Sequence, residues 1–180
     1  MSSCQDLVID ADIMRAASTS EAPLASNAKK ALDAIRDGKH RMVWCGPLIA
    51  EYKKHESRYS ATWRANMISR RLHRYWDYSE DAALRQTLVD AQPEDARSQE
   101  VAVLKDAHLL EAAGATGGRI ISKDAAARNL FRRACPHLGS YKKILWGDLT
   151  GLPEEVIAWV REGCSEKNEF RICPITQKKH

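Results

Sequence analysis

Asp10, Glu51, Asp106 and Asp124 are the residues whose types and spacing could do chemistry. Each stands at the end of an apolar run or beside one. Carboxylates gathered at one point repel, and a hard divalent cation removes that repulsion. Mg²⁺ or Mn²⁺ takes oxygen ligands and keeps positions open for phosphate and water. Such a site suits phosphodiester hydrolysis. Ser122, two residues before Asp124, could hold a water or orient Asp124. Each residue also has a plainer role. Asp10 can be a loop acid, and Glu51 a favourable charge in the first turn of a helix. Asp106 can pair with a nearby Lys or Arg. Asp124 can begin a helix that Ser122 caps. The combination, not any single member, points to a site.

The elements that must position these residues alternate between strand and helix. Leu7 to Ile9 is a short apolar strand ending in Asp10, with Asp12 beyond it. Leu24 through Ile35 has helical periodicity, and Gly38 stands where a stop is expected. Met42 to Cys45 forms a second strand, closed by Gly46-Pro47, and Glu51 opens the helix after it. Helical stretches follow at 57–74 and 80–91. Pro93 suits the start of a helix over 95–113, ended by Gly114. Asp106 borders the apolar stripe of that helix, where an acid is costly to bury without a partner. The remaining elements are a strand at 119–122, a helix at 124–133, a strand in "KILWGD" and a last helix from Pro153 to Gly163. Short apolar strands between amphipathic helices predict a mainly parallel sheet covered on both faces, a three-layer α/β/α sandwich. Ligands of such sheets bind at the carboxyl ends of the strands.

The chain has 180 residues, a net charge of +4 and five cysteines. Length predicts one domain, residues 1–163, followed by a loosely held polar tail, 164–180. The N-terminal residues lack a cationic leader, and no apolar run could span a membrane. The cysteines are scattered and none forms a C-x-x-C pair, so reduced thiols in a cytoplasmic setting are expected.

"LVIDADIM", "PLIAEYKKH", "LKDAHLLEAA" and "RIISKDAA" resemble the four acidic segments of PIN-domain nucleases. The resemblance runs from residue 7 to about 160 and is most specific in the acid-bearing helix, apolar strand and Ser-x-Asp. It implies a PIN-like fold and cleavage of single-stranded RNA with Mg²⁺ or Mn²⁺. It places the family's acids on Asp10, Glu51, Asp106 and Asp124, with Ser122 at the usual Thr/Ser position. Asp12 replaces a usual Asn, and "AAA" after Asp124 lacks a further acid or aromatic. Many small PIN domains are toxins, so an antitoxin protein and a second copy of the chain are implied partners.

The segment between the second and third acids is long and basic. Lys53, Lys54, Arg58, Arg64, Arg70, Arg71 and Arg74 are interleaved with Tyr52, Tyr59, Trp63, Tyr75 and Trp76. Cations can follow a phosphate backbone, and aromatics can stack on bases or serve the core. Lys53, Lys54, Arg64, Arg70, Arg71, Arg74 and Lys123 are the expected RNA contacts. His55, His73 and His108 read as polar surface residues. Two other readings stand beside this one. "DAD" at a strand end is similar to the opening motif of haloacid-dehalogenase-type phosphatases. Asp10 would then be the nucleophile, Asp12 the acid, Ser122 a phosphate binder, Lys142 or Lys143 the lysine and Asp148 a metal acid. The third reading is a catalytically silent PIN-like domain that binds RNA or protein.

Overall fold

The computed structural model describes residues 4–18, 22–94 and 96–175. Five strands form one all-parallel sheet: β1 (Asp6–Ile9), β2 (Arg41–Trp44), β3 (His73–Tyr75), β4 (Arg119–Ser122) and β5 (Leu145–Asp148), in the order β3-β2-β1-β4-β5. Among the described residues there are eight α-helices: α1 (Ala11–Ala16), α2 (Pro23–Asp37), α3 (Gly46–His55), α4 (Arg58–Ser69), α5 (Ala82–Asp90), α6 (Arg97–Ala115), α7 (Ala125–Arg133) and α8 (Pro153–Arg161). α2 packs with α4 and α8, and α6 packs with α5 and α7. The sheet lies between these layers, giving the expected three-layer sandwich. Leu7, Val8, Ile9, Met42, Val43, Ile120 and Ile121 are wholly buried, because a parallel sheet is covered on both faces.

Register brings the two central strand ends together. Val8 pairs with Ile120 and Ile9 with Ile121, and Asp10 N–H donates to the Ile121 carbonyl at 3.0 Å. Two glycines before β4 permit this alignment. A Cβ on Gly117 would lie 2.3 Å from the Asp6 carbonyl oxygen, and Gly118 has φ +66°. Both requirements exclude ordinary side chains.

Several expectations are corrected. Residues 57–74 are not one helix. α4 ends at Ser69, Arg71 takes φ +58°, and Arg71 and Leu72 N–H groups donate to the Ile68 and Met67 carbonyls. This left-handed C-terminal turn delivers β3, with no glycine to signal it. α6 starts at Arg97 rather than beside Pro93 and runs through Gly114 to Ala115.

The tail is not loosely held through residue 175. Cys164, Phe170 and Ile172 are buried, Ile172 N–H donates to the Ile144 carbonyl, and Arg171 bridges antiparallel to Leu145. This segment covers the outer edge of β5, where backbone groups would otherwise lack partners. "QKKH" lies outside the described residues. The cysteines also do not all remain thiols. Cys135 and Cys173, 38 residues apart, form a disulfide, while Cys4, Cys45 and Cys164 are free.

Candidate active site

The site is built at the carboxyl ends of β1 and β4. Asp10 follows β1 and caps α1, its Oδ1 accepting from Asp12 N–H at 3.0 Å. Its Oδ2 accepts from Ser122 Oγ at 2.6 Å. Ser122, fully buried at the end of β4, accepts in turn from the Asp124 N–H at 2.9 Å. Asp124, not Ser122, caps α7 and accepts from Ala127 N–H at 2.8 Å. One hydroxyl thus orients both neighbouring acid-bearing turns. Tyr52, buried on α3, donates its O–H to the Ile9 carbonyl at 2.5 Å and fixes the residue before Asp10.

Asp106 reaches the same edge by helix length. It lies nine residues before the end of α6 at Ala115, where the chain turns into β4. Nine residues rise roughly 14 Å, close to the roughly 13 Å of a four-residue strand. Asp106 is therefore level with the strand ends. Glu51 comes from the middle of α3. Asp10 feels the charges of Asp12 and Asp106, and Asp106 feels that of Asp124. The four acids share one electrostatic neighbourhood.

Each acid has a resident partner. Asp106 Oδ1 lies 3.4 Å from Lys105 Nζ, and Glu51 Oε2 lies 3.4 Å from His108 Nε2. Asp12 faces Arg15 at 2.9 Å and Lys123 at 3.6 Å. Among the described residues neither Asp10 nor Asp124 has a cation in contact; Asp124 is held by the Ala127 N–H, and Asp10 by Ser122 and the Asp12 N–H. Burial pushes the Asp10 carboxyl up to about 6, with the bonds from Ser122 and Asp12 N–H pulling back and the Asp12 and Asp106 charges adding to the rise. Burial also raises Asp106, against the pull of Lys105.

His108 is not a surface residue. It is buried, and its Nδ1 lies 3.1 Å from the Lys105 carbonyl, which can only accept. Nδ1 must therefore carry a proton, and a neutral ring would turn a lone pair toward Glu51. An imidazolium resolves this clash. Burial opposes that charge, but Glu51, the Lys105 carbonyl and Asp106 together outweigh it and raise the His108 pKa, while His108, Lys105 and His55 lower that of Glu51 against the effect of burial. At 3.4 Å the contact is an ion pair without a well-formed hydrogen bond. Sequence reasoning missed His108 and the positioning role of Tyr52. The i, i+2 placement of His108 after Asp106 was the only local signal for the former.

The expected RNA-contacting residues divide. Lys53 and Lys54 are exposed in the last turn of α3, and Lys123 is at the acid edge. Arg64 is occupied internally, with two 2.7 Å bonds to Glu56 and its guanidinium 5.4 Å from the Trp44 ring centre. Arg70 and Arg71 precede β3 and so lie at the amino edge of the sheet, away from the acids. Arg74 is exposed within β3. Trp63 serves the core, donating to the Leu32 carbonyl at 2.7 Å.

The phosphatase arrangement is not assembled. Lys142 and Lys143 precede β5 at the amino edge, and Lys142 Nζ donates to the Pro136 carbonyl. Asp148 ends β5 but caps its own turn through Thr150 N–H at 2.8 Å. Among the described residues no group of three or more His, Cys, Asp and Glu is close enough to hold a metal ion. No helix among them is long and apolar enough to cross a membrane. No protein-family model, curated protein or solved structure matches the chain.

Proposed function

We propose that the chain is a PIN-like, metal-dependent endoribonuclease acting on single-stranded RNA. The observation that carries this reading is Asp10, a buried carboxylate without a cation, hydrogen-bonded to Ser122 and repelled by Asp12 and Asp106. A buried charge left this way is a poor structural device and a good receptor for a cation. The donor set is all oxygen, as Mg²⁺ or Mn²⁺ requires. In charge and donor type the residues suit such an ion, although as they stand no three of them are close enough to hold it. Asp10, Asp106 and Asp124 would hold it, which requires them to turn from the partners described above. The bound ion would neutralise the carboxylates and polarise an attacking water.

The chain's own groups have distinct tasks. Ser122 holds Asp10 and the turn bearing Asp124 in fixed relation. His108 holds Glu51 beside α6. Lys105, beside Asp106, and Lys123, beside Asp12, are the cations at this edge that would receive phosphate oxygens. An antitoxin and a second copy of the chain remain partners by resemblance alone.

The test is cleavage of a single-stranded RNA with Mn²⁺, beside hydrolysis of a small phosphate ester. Asp106→Asn should abolish RNA cleavage, and Asp148→Asn should leave it intact. Ester hydrolysis lost in Asp148→Asn, with RNA untouched by any variant, would favour the phosphatase instead.

A further inference from the structure

Residues 125–147 contain five Lys and Arg residues and no acid. Two of the five, Arg128 and Arg132, are one turn apart on α7 and only partly exposed. Neither forms an ion pair among the described residues. Arg132 Nε donates to the Ile172 carbonyl at 3.1 Å, which accounts for that residue as a clasp on the C-terminal segment. Arg128 is less well served. Its Nη2 reaches the Glu169 carbonyl only at 3.4 Å, and its Nε is buried without any acceptor. Burial and the neighbouring Arg132 charge both disfavour its own charge, and Asp148 offsets them only from a distance.

A half-buried guanidinium beside a second cation is costly unless an anion joins them. Its planar fork of donors matches a phosphate. Its place on α7 is also informative. Asp124 caps this helix, and Arg128 lies about 6 Å further along its axis. Asp124 and Arg128, four residues apart, lie on one side of the helix, and Ala125 and Ala126 in its first turn are small and exposed.

We propose that Arg128 is a phosphate-binding residue for the RNA backbone, engaging a phosphate adjacent to the one held at the acid edge. Arg132 strengthens the local field while holding the C-terminal segment. This inference rests on the ribonuclease reading for the identity of the ligand, but not for the existence of the anion site.

The experiment uses the full chain kept metal-free with chelator, so that cleavage does not intervene. Binding of a fluorescent single-stranded oligouridylate is measured across a salt series for wild type, Arg128→Gln and Arg128→Lys. Loss of one phosphate contact should reduce the magnitude of the salt slope by about 0.7 and weaken low-salt affinity by roughly ten-fold in Arg128→Gln. Arg128→Lys should keep the slope, because the charge remains. Thermal unfolding and the mass of the oxidised chain confirm that both variants are folded with Cys135–Cys173 intact. Identical slopes and affinities for wild type and Arg128→Gln would overturn the proposal, as would wild type that binds no RNA. A second arm adds inorganic phosphate. A rise in melting temperature lost in Arg128→Gln, with an unchanged RNA slope, would make this a free-phosphate site and overturn the RNA assignment. Normal RNA binding without Mn²⁺-dependent cleavage would remove the ribonuclease reading and leave the phosphate site standing.

Discussion

Two of the three acids on α6, Glu111 and Asp106, have opposite fates. Glu111 is almost wholly buried, yet its carboxylate is fully engaged. Arg85 donates to Oε1 at 2.8 Å and Oε2 at 3.0 Å, Tyr78 O–H donates at 2.7 Å and Asp81 N–H at 2.9 Å. Burial would raise its pKa, but these donors outweigh it and lower it. The network fastens the 78–85 segment to α6. Asp106, on the same helix, shares the edge with Asp10, Glu51 and Asp124, and among the described residues the cation in contact with it is an exposed lysine. Both regions bury carboxylates. One supplies donors for all of them, and the other supplies more carboxylates. The first is a structural joint, and the second keeps unspent attraction for a cation.

The largest expected effect tests the joint. Glu111→Gln should destabilise the fold by about 3–5 kcal/mol, because it leaves Arg85 without its buried counter-charge. Chemical denaturation measures this, and a loss near zero would erase the distinction between the regions.

Asp10→Asn should act in the opposite direction. Asn keeps an acceptor for the Asp12 N–H, and its amide can donate to Ser122. The folded pKa of Asp10, about 6, is above its ordinary value of 3.8, so the folded state binds the proton more tightly. Stability from the neutral form is full below about pH 4 and is lost as pH rises through about 6. Asp10→Asn should therefore be neutral near pH 4 and stabilise by about 2–3 kcal/mol above pH 6. Melting curves across pH decide this. Destabilisation at pH 7 would mean that the Asp10 charge is already compensated.

A smaller effect is expected at Lys105. Its side chain is 70% exposed, so its pair with Asp106 is weak. Lys105→Met should tighten Mn²⁺ binding by about three- to five-fold, in keeping with an exposed pair of about 1 kcal/mol, while Lys105→Arg should leave it unchanged. Calorimetric titration reads both. The smallest effect belongs to Arg70 and Arg71. Their joint change to Gln, at the amino edge, should alter RNA affinity by less than two-fold and stability by no more than about 0.5 kcal/mol.

The fold was legible where burial writes a pattern. Leu7–Ile9 and Ile120–Ile121 are apolar because both sheet faces are covered, and the acids at their ends were therefore placed correctly. β3 was illegible because "HRY" at a sheet edge is short and partly exposed, and Arg71 makes its turn without glycine. Within the site, Asp10, Ser122 and Asp124 followed from strand-end chemistry. The Glu51–His108 pair did not, since it depends on α3 meeting α6. Cys135 and Cys173 meet for a similar reason: the C-terminal segment returns along β5, which no local spacing encodes.

The central claim is that the Asp10 edge takes a divalent cation. A crystal soaked in Mn²⁺ and measured for manganese anomalous scattering tests it directly. The account predicts one or more peaks bonded to carboxylate oxygens of Asp10, Asp106 and Asp124, with Asp106 turned away from Lys105. A saturating soak with no manganese at that edge, and Asp106 still facing Lys105, would contradict it.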